Sequence, residues 1–478
     1  MNVTSLLLLL LVGTIATFLS GQKLAARVAL FFGAASFGLA LYLTNLHLSA
    51  TDVSFSTLWI ENPMVYLAFK ADGLALAMVL LTTALTTIII FSSFGNQFEN
   101  AKNFYALVLF MSFAMVGTFL ASDGLLYYIF WELALIPIYF IVLIWGNDDS
   151  DSRKKAVVKF FIYTIAGSLF MLIGFGYLYK KAGNFQLETL YNLKLSAQEQ
   201  FWVFLGFFAA YAIKIPLIPF HTWQANVYQK APAVGTMLLS GIMLKMGLYS
   251  IIRWQLPIAP IVAKANIVFL TSIGVAGVIY GSILALRQKN LKKLLAYSSL
   301  AHVGLIAAGI YTCTIDGLSG AVAQMIAHGF VIVGLFFVAE IIERRLQTQT
   351  IAEMGGIRDQ APKFTSFFLI LVLASVALPG TFNFVGEFTV LYSLSQINLL
   401  VAGLGGSTII LGAYYMLKMF QNVMLGNTNK SLFKDISGSE AVALVVIVGF
   451  LLFFGLYPKP LVELVQPSLI EVLKVINK

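Results

Sequence analysis

A single cysteine, Cys313, in a chain of 478 residues excludes an intrachain disulfide and any multi-cysteine zinc or iron–sulfur site. Charge is equally scarce. Asp, Glu, Lys and Arg make up 11% of the residues, against about 25% in an ordinary soluble domain. There is no G-x-G-x-x-G after a strand, no Walker motif and no haem signature, so any redox chemistry belongs to another chain. No extramembranous segment is long enough for a separate domain; the longest are 46–69 and 344–363. Strand-like alternation of the membrane-barrel type is also missing.

What fills the chain instead is apolar. Hydrophobic residues reach 59%, and they run in stretches of mostly 17–25 residues. That length suits helices crossing a hydrocarbon core of about 30 Å. The first stretch, 3–19, lacks a basic leader region and a cleavage site, and reads as the first span. Fourteen spans follow one another: roughly 3–20, 27–46, 70–94, 103–121, 124–145, 156–179, 201–229, 234–254, 261–286, 292–311, 317–343, 364–397, 400–425 and 439–458. The expectation is an all-α polytopic membrane protein, one transmembrane domain over 1–478.

The net charge of +9 would ordinarily suggest nucleic acid, but the basic residues sit in short connections between spans. Connections after odd-numbered spans hold eighteen of the thirty Lys and Arg residues, Lys430 among them; those after even-numbered spans hold six. By the positive-inside rule the odd connections are cytoplasmic. Both termini would then lie on the periplasmic side of a bacterial-type inner membrane.

Polar landmarks recur at a loose offset. Glu132 and His302 are 170 residues apart, Pro216 and Pro379 are 163, and Lys245 and Lys418 are 173. Such an offset pairs spans 4–8 with spans 9–13, and five spans per copy make the second copy inverted. Inverted repeats with a broken helix in each copy are a transporter architecture. The division would be 1–102 (spans 1–3), 103–255 (first repeat), 256–426 (second repeat) and 427–478 (last span and tail).

The breaks fall where polar chemistry collects. Lys214 ends an apolar run and is followed at once by Pro216 and Pro219; Lys245 sits well inside the next run. Each proline removes a backbone donor, and in lipid the freed carbonyls must be satisfied by protein or water. A lysine at mid-membrane costs roughly 2.5–3.5 kcal/mol on insertion scales. Unlike arginine, it is able to give up its proton there. Glu132 lies inside the fifth span; paired with Lys214, it would make each group's proton affinity depend on the other's charge. His302 and His328 stand on neighbouring spans near Ser298, Ser299 and Gln324, and imidazole exchanges protons near neutral pH. Two histidines without a nearby carboxylate or thiolate make a poor metal site. Glu387 follows the second break, formed by Pro379, Gly380 and Gly386, where Asn383 is placed to satisfy freed backbone groups. Each of these residues also admits a structural reading: a paired carboxyl, a snorkelling lysine, a hydrogen-bonded histidine, a helix cap. His221 is open between the two, whereas Asp72 and Asp123 read as helix N-caps and Lys418 as an ordinary basic residue near a span end.

Five stretches carry a resemblance over nearly the whole chain: FWELALIPIYFIVLIWG, KIPLIPFHTWQANVYQKAPAVGTMLLSGIMLKMGLYSIIRW, KKLLAYSSLAHVG, AHGF and LPGTFNFVGEF. The chain resembles the antiporter-like membrane subunits of the proton-pumping NADH:quinone oxidoreductase, respiratory complex I. That resemblance implies about 14 transmembrane helices, inverted repeats, and breaks in helices 7 and 12. It also implies a mid-membrane proton relay of Glu132, Lys214, Lys245, His302, His328 and Glu387, with Glu132 and Lys214 as the modulating pair and Glu387 near the exit. Cofactors are not expected in this chain; FMN, iron–sulfur clusters and quinone would sit in partner subunits. The expected partners are other membrane subunits, further antiporter-like ones included. Relatives in sodium/proton antiporters of the Mrp type tend to have lysine where this chain has Glu387. A subunit of such an antiporter, or of a ferredoxin- or hydrogenase-linked complex, is the alternative.

Overall fold

The computed structural model describes residues 2–147, 150–426 and 432–478, so Lys430 lies outside the described residues. Among them, eleven helices are long and apolar enough to cross a bilayer, from the 19-residue Gly438–Leu456 to the 33-residue Ser150–Ala182. Two shorter apolar helices are Val3–Leu19 and Pro362–Ser375. Helices dominate because a backbone in hydrocarbon has to bond to itself. Their starts carry side-chain caps. Asp72 Oδ1 accepts from Ala75 N–H at 3.0 Å, and Asp123 Oδ1 accepts from Leu125 and Leu126 N–H, as their positions suggested.

Both expected breaks are present. The Ala197–Lys214 helix ends at Lys214, turns through 215–223 and resumes as Gln224–Lys230. Pro362–Ser375 likewise gives way to a turn over 376–381 before Phe382–Ile397. There Gly380, at φ +91°, adopts a conformation that glycine tolerates without strain. Two irregularities were not foreseen. Ala134 separates Gly124–Leu133 from Leu135–Trp145, where Pro137 leaves the carbonyl four residues earlier without its helical donor. The helix Ala233–Ile258 is wound as π-helix at Leu239–Met243 and Ile251–Gln255.

The all-α expectation needs one correction. Within the 46–69 connection, β1 (Phe55–Ile60) pairs antiparallel with β2 (Val65–Phe69), and Asp123 Oδ2 accepts from Tyr66 N–H at 3.0 Å to hold the hairpin. The tail is also more than a tail. Lys459–Ile476 is an amphipathic helix, and a Cβ on Gly73 would meet the Leu464 carbonyl at 1.7 Å, so only glycine permits this approach.

The chain forms two compact units. The first comprises Met1–Pro216, Ile242–Ile267 and Leu461–Lys478. Its core holds an aromatic cluster in which Phe175 contacts Phe207 at 4.8 Å and Trp254 at 5.3 Å. The second comprises Leu217–Gly241 and Val268–Pro460. Here Ile267–Leu286 and Leu291–Tyr311 cross backbone to backbone, since a Cβ on either Gly274 or Gly304 would lie 2.6 Å from the other's carbonyl. The passages between units fall at Pro216–Leu217, within the first break, at Gly241–Ile242, within the first π segment, at Ile267–Val268 and at Pro460–Leu461.

Candidate functional site

Three of the six ionisable residues lie in the first unit. Glu132 is next to last in the Gly124–Leu133 helix, just before the Ala134 interruption, and is half-buried. Its Oε1 has no hydrogen-bond partner, while Ser168 stands beside the carboxyl group. Lys214 is 1% exposed, and its Nζ makes no hydrogen bond. The ammonium instead sits over the face of Trp131, 4.8 Å from the ring centroid. Glu132 attracts it through space without a hydrogen bond. A cation held by a ring face and a distant carboxylate, rather than by a close ion pair, responds to changes in the field around it.

Lys245 is 0% exposed and occupies Leu244–Ser250, the α-helical stretch between the two π segments. π-Turns inside α-helices are frequent at functional sites. Gly247, two residues further on, lets the broken helix come close: a Cβ there would be 2.5 Å from Ile215 Cγ1 and 3.5 Å from Lys214 Cβ. Gly247→Val is therefore expected to lower the thermal stability of the solubilised protein, since overpacking costs about 1–3 kcal/mol. Gly176→Val, where nothing lies within 4 Å, should leave the unfolding temperature nearly unchanged.

The other three lie in the second unit, and two of them meet. The rings of His302 and His328 are 5.8 Å apart between centroids, inclined at 48°, and both are buried. Glu387 is 2% exposed, with Oε2 unpartnered. It is held there by its neighbour Gly386, where a Cβ would come within 2.6 Å of the Gln324 backbone nitrogen, so the Phe382–Ile397 and Ile315–Leu346 helices pack in close contact. Around these groups several buried polar atoms have no hydrogen-bond partner: His302 Nδ1, Ser299 Oγ, and both amide atoms of Gln324 and of Asn383. The role expected for Asn383 is thus corrected; its side chain satisfies no freed backbone group.

Of the residues set aside, His221 is buried with its ring against Tyr280, at 5.1 Å, and Lys418 is exposed over the Tyr414 ring. Sequence reasoning missed two ion pairs, one fully buried and one with a half-buried carboxylate. Arg253 pairs with Asp72 at 2.6 Å in the first unit, and Lys292 with Glu343 at 2.6 Å in the second. The spacing of Lys245, Tyr249 and Arg253 on one helical face was a readable signal for Arg253; its acidic partner 181 residues away was not. No group of three or more His, Cys, Asp or Glu able to hold a metal occurs among the described residues.

A polytopic helical membrane protein with ionisable side chains buried beside two helix breaks belongs to the ion-translocating class. Residues 121–412, which include all six of these groups, match the family described as NADH:quinone oxidoreductase/Mrp antiporter, TM. NADH-quinone oxidoreductase subunit M of Rickettsia prowazekii (strain Madrid E) is 35% identical, covering 98% of this chain and 97% of the relative. NADH-ubiquinone oxidoreductase chain 4 of Chondrus crispus is 34% identical over 95% and 94%. A chain of respiratory complex I from Thermus thermophilus with bound NADH superposes with a TM-score of 0.91 at 30% identity, covering 98% and 99%. A chain of the Mrp complex from Dietzia sp. DQ12-45-1b superposes with a TM-score of 0.88 at 18% identity over 99% of each, a likeness of fold alone. The chain belongs to the NADH:quinone oxidoreductase/Mrp antiporter membrane family.

Proposed function

We propose that this chain is a proton-translocating, antiporter-like membrane subunit of an NADH:quinone oxidoreductase, driven by electron transfer in partner subunits. The observation that carries the reading is Lys214: a buried cation beside a helix break, without a hydrogen bond, resting on a ring face in the field of Glu132. In this reading the chain crosses a bacterial-type inner membrane fourteen times, with both termini periplasmic and inverted repeats over 103–255 and 256–426. FMN, iron–sulfur clusters and quinone belong to the partner subunits, among which are further antiporter-like ones.

The relay works by charge. A change in the field at Glu132 and Lys214 alters the proton affinity of Lys214, then that of Lys245. The proton passes by His302 and His328, and Glu387 hands it towards the exit. The unpartnered polar atoms near the histidines supply hydration points, because buried polar groups otherwise find a partner or a water. Moving one charge against 100 mV takes about 2.3 kcal/mol. A pKa unit is worth about 1.4 kcal/mol, so modest changes in affinity supply a useful part of that work. Glu387, an acid where the antiporter branch tends to have lysine, favours the oxidoreductase over a free-standing sodium/proton antiporter.

Purification of the chain from its own membrane in mild detergent tests the assignment. Flavin- and iron–sulfur-containing proteins that oxidise NADH should copurify with it. Recovery with cation antiporter subunits alone, and no NADH oxidation, would overturn it.

A further inference from the structure

Asp72 and Arg253 are both buried, and their ion pair is held on several sides. Arg253 Nε donates to the Tyr249 hydroxyl at 3.0 Å, Tyr249 donates to the Phe119 carbonyl at 2.6 Å, and the Tyr191 hydroxyl donates to the Arg253 carbonyl at 2.5 Å. Capping does not explain the pair, since Asp123 caps its helix through backbone N–H groups alone. Nor does stability, since apolar replacements of a buried ion pair are often no less stable.

Its two flanks suggest a role. On one side Asp72 lines a cavity of about 610 Å³ together with His47, Asp52, Lys70, Glu188 and Glu471. Lys70 and Glu188 are 3.6 Å apart there, and the Ser54 N–H donates to Asp52 at 2.9 Å, holding that carboxyl below its usual range. The cavity wall is charged and polar. On the other side, Lys245, Tyr249 and Arg253 recur at every fourth position of one helix, which places buried Lys245 about 12 Å along the axis from Arg253. All of these residues belong to the first unit.

We propose that the Asp72–Arg253 pair is a charged gate held shut between Lys245 and this cavity, closing the first unit to protons from the outer side. The inference rests on the proton-translocation reading, in which the connections after even-numbered spans, among them those that line this cavity, face outward. Closed, the fixed guanidinium charge repels protons from either side, and its ion pair occupies Asp72.

The double variant Asp72→Asn with Arg253→Gln removes both charges and keeps an oxygen for the helix cap. In the whole complex reconstituted in vesicles, it should raise passive proton uptake under a potassium diffusion potential by about tenfold or more, and lower the protons pumped per electron. Wild-type leak with wild-type coupling would overturn the gate. Lys214→Met, measured alongside, separates the two readings. If it pumps normally the translocation reading fails; if it does not pump while the double variant behaves as wild type, only the gate fails. Should the double variant not assemble, accessibility decides. In a Cys313→Ser background, a membrane-impermeant maleimide applied from the outer face should label Ser56→Cys in the cavity and spare Ser250→Cys behind the pair. Equal labelling of both, or none at Ser56→Cys, would sink the proposal.

Discussion

Replacing Lys214 with methionine is expected to abolish proton pumping in a complex that still assembles and still oxidises NADH. Methionine keeps the length of the stem and its packing on Trp131, and removes a buried charge that has no hydrogen-bond partner. Since an unsatisfied buried polar group costs about 1–3 kcal/mol, the variant should be at least as heat-stable as the wild type. Loss of pumping therefore cannot be put down to a damaged fold. Arginine at the same position sharpens the test: it keeps the charge yet cannot give up its proton in a protein. Lys214→Arg should pump no better than Lys214→Met. Vesicles that acidify at the wild-type rate with either variant would remove Lys214 from the relay.

Glu387→Gln carries the second large effect. Glutamine has nearly the shape of the acid and keeps an oxygen for hydrogen bonding, but neither loses nor gains a proton. Protons delivered per electron should fall by about tenfold or more, the loss that an added barrier of about 1.4 kcal/mol produces in a step limiting the flow. Thermal stability should hold or rise, because Glu387 is 2% exposed with an unpartnered oxygen. Gln324→Leu is the informative companion. It removes two unpartnered amide atoms from the same neighbourhood without touching an ionisable group. Slower pumping in Gln324→Leu would point to hydration around the histidines, and unchanged pumping would confine the relay to the titrating side chains.

Much of this architecture was readable because a bilayer leaves the backbone few choices. Long apolar runs had to be helices, Pro216 and Pro379 had to interrupt them, and Asp72 and Asp123 had to cap what followed. Residues rare in hydrocarbon also announce themselves, which is why Lys214, Lys245 and Glu387 stand out in the sequence alone. The 46–69 hairpin escaped notice because its strands are short and lie in a connection, where no hydrophobic period marks them. The tail helix Lys459–Ile476 escaped for a related reason: its apolar face is read only against the Gly73 surface that it covers.

Composition and local spacing by themselves determined that this chain is a bundle of membrane helices, where two of them break, and which few side chains carry protonatable groups into the grease. Those properties follow from single segments meeting lipid. Tertiary structure alone decided that Lys214 rests on Trp131, that the rings of His302 and His328 meet, that Asn383 caps nothing, and that Asp72 finds Arg253. Such pairings join residues far apart along the chain, and the packing of whole helices, glycine against backbone, sets which of them come within reach.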